Sequence, residues 1–113
     1  MNKDFALFQS EFKKWQKLFG LTGYKVYFKY EPLDSSYASI SVNQDSMVAT
    51  VRLNSKVSDE ARPYKDVKES AKHEAIHLLI GKLEEYGHYR YSSKHEIDEA
   101  SEELTVKLES LIP

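Results

Sequence analysis

The chain has 113 residues, 41% of them hydrophobic and 30% charged, with a formal net charge of −2 and no cysteine. That length carries one hydrophobic core and not two, so a single domain over residues 1–113 is expected. Without cysteine there is no disulfide framework and no thiolate metal site. The slightly acidic balance without a basic run argues against a nucleic-acid partner, and the lack of a signal peptide or long apolar run argues against a membrane, so a cytoplasmic location is expected.

Phe5, Phe8, Phe12, Trp15 and Phe19 recur at steps of three and four with Lys and Gln between them. This predicts an amphipathic first helix, closed by Gly20, whose aromatic stripe is core. After Leu21-Thr22-Gly23 the period becomes two. Val26, Phe28 and Tyr30 alternate with Lys25, Tyr27 and Lys29 as a half-buried strand, broken by Pro32 and Asp34-Ser35-Ser36. Ala38, Ile40 and Val42 alternate with serines, Asn43 to Ser46 form a turn, and Met47, Ala49, Val51 and Leu53 continue the alternation. The last two strands predict a hairpin, and the three together a mostly antiparallel sheet.

Residues 54–66 are polar and contain Pro63, as a loop does. A helix should follow from Val67 and stop at Gly87, a residue suited to a left-handed cap. Ser93 with Glu96 three positions on is a capping box that opens a final helix. Its apolar face is expected at Ile97, Ala100, Leu104, Leu108 and Leu111. A short connection makes these two helices antiparallel neighbours. The expected class is therefore α+β: an N-terminal helix, three strands, and an antiparallel helical pair.

The chemistry is concentrated in His73-Glu74-Ala75-Ile76-His77, inside the second predicted helix. Positions four apart share a helix face about 6 Å apart along the axis, so the two imidazoles can aim at one point. Glu74 lies about 100° further round, within reach of whatever they hold. In the H-E-x-x-H arrangement two histidines bind Zn²⁺ and the glutamate is general base. A bland surface helix is the competing reading, but Leu78-Leu79-Ile80 continue the segment and are too apolar for a free face.

Two histidines need a third ligand. The extension to H-x-x-G-x-x-H fails, because Ile80 and Leu83 occupy its glycine and histidine positions. The source left is the final helix, with Asp98, Glu99, Glu102 and Glu103. Counting about eleven residues back from the helix end and the same distance into the next helix reaches residue 104, give or take a turn. That depth suits Glu102 and Glu103 better than Glu99, and Glu103 lies nearer the expected apolar face, so Glu103 is favoured.

The motif with a downstream glutamate resembles the gluzincin type of zinc metallopeptidase. The order of helix, three strands, motif helix and final helix resembles very small phage-encoded metallopeptidases, over nearly the whole chain. The resemblance implies a minimal zincin-like domain that hydrolyses a peptide or protein substrate. It leaves the third ligand open: Asp98 to Glu103 is similar to the N-E-A-x-x-D segment of thermolysin-like enzymes, implying Glu99 as ligand with Glu103 behind it. Glu102-Glu103-Leu104 is similar to the phage proteins, implying Glu102. On this reading Met47 to Leu53 offers an edge strand for an extended peptide, and Tyr86, Tyr89, Tyr91, His88 or His95 an oxyanion donor. The alternative is a non-catalytic, zinc-stabilised protein-binding module, since a domain this small gains from a metal staple.

Overall fold

The computed structural model describes residues 3–56, 66–88 and 93–113. Along the chain it has α1 (Lys3–Leu18), β1 (Lys25–Glu31), β2 (Ala38–Asn43), β3 (Val48–Asn54), α2 (Val67–Gly87) and α3 (Lys94–Leu111). This is the expected α+β arrangement of one helix, a three-stranded sheet and two C-terminal helices. Most of the polar loop expected at 54–66 falls on 57–65, outside the described residues. No helix among the described residues is long and apolar enough to cross a membrane.

The aromatic stripe of α1 is core. Phe8, Phe12 and Trp15 are buried, with Phe5 and Phe19 packed around them. Phe28 of β1 meets Phe8 and Phe12 edge-on, with ring centroids 6.5 and 5.6 Å apart, a geometry favoured by the ring quadrupoles. Ala49, Val51 and Leu53 of β3 and Ala71, Ala75 and Leu78 of α2 complete the core. The helix ends at Gly20, whose φ of +73° is the left-handed conformation glycine takes without penalty.

The sheet order is β1-β3-β2. The β2–β3 hairpin forms as expected, pairing Ile40 with Val51 in antiparallel register. The other pairing is parallel: β1 joins the far side of β3, with Phe28 opposite Val51. The cause lies in the connection 32–37, which crosses the end of β3 and is tied there by Asn54. Its side chain donates to the carbonyls of Leu33 and Ser36 at 3.0 and 2.9 Å and accepts from Leu33 N at 3.2 Å. As a result β3 is the central strand, and the expectation that Met47 to Leu53 forms an edge is corrected. Its backbone is paired on both sides, and β2 is the edge beside α2.

Asp66 caps α2 by accepting from Glu69 N, and the Ser93–Glu96 capping box opens α3 with both of its hydrogen bonds present. Gly87 is not the left-handed cap expected. It is the last helical residue, followed by a right-handed His88, and a Cβ on it would stand 3.1 Å from Ile97 Cδ1. Its role is close approach of the two helices. Their antiparallel packing is recorded by contacts whose α3 partner number falls as the α2 number rises: Lys72 with Ile112, His73 with Glu109, His77 with Thr105, Glu84 with Ser101, and His88 with Asp98.

The inward face of α3 is rotated from the one expected. Ser101 and Thr105 are its buried residues, while Leu104 and Leu111 are exposed. An apolar face was expected from hydrophobic spacing alone, but the side of α2 that α3 meets carries imidazoles and carboxylates. Small and polar residues pack and bond there.

Candidate metal centre

The helical spacing of His73 and His77 sets their rings 4.9 Å apart at 69° to one another. Both Nε2 atoms face Glu102 on α3. His73 Nε2 lies 3.0 Å from Oε1 and His77 Nε2 lies 3.0 Å from Oε2. These three residues offer donor atoms all within 4.8 Å of one another. Zinc–nitrogen and zinc–oxygen bonds of about 2.0–2.2 Å put ligand atoms of one tetrahedron roughly 3.3 Å apart, so the set fits such an ion with small adjustments.

The outer ring nitrogens support the same orientation. His73 Nδ1 is 2.6 Å from Glu109 Oε1, a carboxylate oxygen that accepts a hydrogen bond from an Nδ1–H. His77 Nδ1 lies 3.5 Å from Thr105 Oγ1. That hydroxyl already donates to Ser101 O at 2.8 Å, which leaves it an acceptor for an Nδ1–H. Each ring is thereby biased to carry its proton on Nδ1 and its lone pair on Nε2, the tautomer a metal ligand needs.

Burial and neighbouring charge pull these groups in different directions. Burial alone lowers the His73 imidazole, but the Glu109 hydrogen bond and the charges of Glu74, Glu102 and Glu109 outweigh it and leave it above its ordinary value. His77 is lowered, first by burial and also by the charge of His73, against the pull of Glu102. Glu74 is 7% exposed, and burial, with Glu102 and Glu109 adding to it against His73, pushes its carboxyl up to about 7.

Glu74, His73, His77 and Glu102 line an open groove of about 610 Å³ whose opposite wall is β2, through Ala38, Ser39, Ile40 and Val42.

The other site candidates are placed elsewhere. Glu103, favoured by counting along the hairpin, does not join the histidines; it faces solvent and pairs with Lys107 at 2.8 Å. Glu99 lies 3.7 Å from the exposed His95. With the inward face of α3 at Ser101 and Thr105, Glu102 is turned towards the histidines and Glu103 away from them. Of the suggested oxyanion donors, His88 lines the groove, whereas Tyr86 and His95 do not; Tyr89 and Tyr91 lie outside the described residues. Reasoning from sequence missed Glu109 and Thr105. Their signal was present as a polar stripe, Asp98, Glu102, Thr105 and Glu109, at steps of four, three and four.

Neither the known protein families nor the curated proteins contain a match to this chain.

Proposed function

We propose that the chain is a minimal zinc-dependent peptidase, with His73, His77 and Glu102 as metal ligands and Glu74 as general base. The observation that carries this reading is the separation of roles around one groove. Three donors converge, the outer nitrogens of the two rings are held from behind, and a further carboxyl, Glu74, stands beside them without being one of the three. Three protein ligands leave a position open, as catalytic zinc sites do.

Zinc bound there would supply an acidified water and a Lewis acid for the scissile carbonyl. Glu74 lines the groove beside the three donors, where a general base for a metal-bound water has to stand. Glu109 and Thr105 hold the two imidazoles in orientation. The β2 edge offers backbone hydrogen bonds to an extended peptide. A cytoplasmic site of action belongs to the same proposal.

The test is Glu74→Gln, an isosteric change that keeps the fold and the three donors but cannot accept a proton. It should bind zinc like the wild type and lose hydrolysis of unfolded proteins and mixed peptides by about 10²–10⁴-fold. Equal cleavage by both forms would overturn the assignment of Glu74. Absence of cleavage by either, with zinc bound, would favour the non-catalytic binding module.

A further inference from the structure

A second cluster on the same helix pair repeats the construction of the first. Glu84 in the last turn of α2 and its C-cap residue His88 stand four apart, and Asp98 reaches them from α3; their donor atoms all lie within 4.8 Å of one another, and all three residues are partly buried. Glu84 and His88 line the same groove further towards the closed end of the helical hairpin.

His88 gives this cluster a second, independent sign. Its Nε2 is a buried atom without a hydrogen bond among the described residues. Its near charged neighbour is Asp98 Oδ1 at 3.2 Å, an ion-pair contact that brings the ring nitrogen and a carboxylate oxygen to one point. A buried ring nitrogen in that condition is unfavourable unless something else completes it. The carboxylates, by contrast, are each held from behind. Ser101 Oγ donates to Glu84 Oε2 at 2.8 Å, and Lys94 Nζ to Asp98 Oδ2 at 2.6 Å. Outer contacts of this kind orient ligands around metals.

We propose that Glu84, His88 and Asp98 form a second divalent-cation site, distinct from the His73–His77–Glu102 set, that clamps the closed end of the α2–α3 hairpin. One imidazole nitrogen and two carboxylate oxygens suit zinc or a neighbouring divalent transition metal. A cation there takes the Nε2 lone pair and lies between the two carboxylates, whose charge it neutralises. It ties the last turn of α2 to the second turn of α3, across the short connection between them. The site requires neither hydrolysis nor the first histidine pair.

Calorimetric titration of the metal-free 113-residue chain with zinc chloride tests it. The wild type should take up two equivalents, and His88→Ala and Asp98→Asn should each take up one fewer. Ser101→Ala should weaken the affected event by about ten- to a hundredfold and leave the other unchanged. Circular dichroism on every variant controls for folding, and the milder Asp98→Asn and Ser101→Ala keep the test decisive if His88→Ala misfolds. His73→Ala should remove the other equivalent, so uptake lost in His73→Ala but kept in His88→Ala and Asp98→Asn overturns this site alone. Uptake indifferent to His73→Ala but lost in His88→Ala keeps this site and removes the first.

Discussion

Glu102 is the residue on which the centre turns: its two oxygens reach both histidines at 3.0 Å, while the adjacent Glu103 is tied to Lys107 at the surface. Glu102→Ala should therefore weaken zinc binding at this centre most. Glu109→Gln should cost about ten- to a hundredfold through the loosened His73 ring, and Glu103→Ala and Glu99→Ala should stay near wild type. Competition against a chromogenic chelator ranks the four, and a larger loss for Glu103→Ala than for Glu102→Ala would reverse the assignment. Glu74 makes a separate prediction for the metal-free protein. Its folded carboxyl stands at about 7 against an ordinary 4.5, so the folded chain binds more protons than the unfolded one. The stability it contributes is fully present below the ordinary value and is lost as pH rises through about 7. His73, also raised, acts in the same direction, and His77, lowered, opposes it. Glu74→Gln removes the Glu74 part, and denaturant melts should show the wild type losing up to about 3 kcal/mol more than the variant across that window. Parallel pH profiles for the two forms would refute it.

At the scale of elements, a ladder of polar contacts runs along the α2–α3 hairpin. One rung is at its open end. Lys72, buried at 6% exposure, donates to Ile112 O at 2.9 Å, pairs with Glu69 at 3.1 Å, and stands 5.7 Å over the ring of Trp15. It fastens the end of α3 to α1 and α2, one turn beyond Glu109. Lys72→Met keeps an apolar stem but removes the charge-assisted bond, and should destabilise by about 1–3 kcal/mol. It should also weaken zinc binding, because Glu109 loses its anchored helix end. Thermal melts and zinc titration on one preparation check both effects; an unchanged melting temperature would show that the buried ammonium contributes nothing net.

For the whole molecule, a single core joins α1, the sheet and α2, and α3 is attached to it largely through α2. A metal bound between α2 and α3 would therefore act on global stability. Zinc at a thousandfold excess over its dissociation constant should stabilise the chain by about 4 kcal/mol per site. Chelation should lower the melting temperature correspondingly, and His73→Ala or His77→Ala should abolish the contribution of the first site. Melting curves with and without a chelator measure it. Variants that gain as much from zinc as the wild type would place the binding elsewhere.

Local periodicity by itself determined much of this protein: the α1 stripe from Phe5 to Phe19, the three alternating strands, the Ser93 capping box, and the paired imidazoles of His73 and His77. These follow from spacing along one element, where 3.6 and 2.0 residues per repeat decide which side chains share a face. Tertiary structure decided what depends on how elements meet. Asn54, by tying the 32–37 crossover, made β3 central and β2 the edge. The rotation of α3 brought Glu102, Thr105 and Glu109 inward in place of Glu103 and Leu104. A shift of one residue on a helix turns a side chain by about 100°, and that angle is set by the partner surface and not by the helix's own sequence.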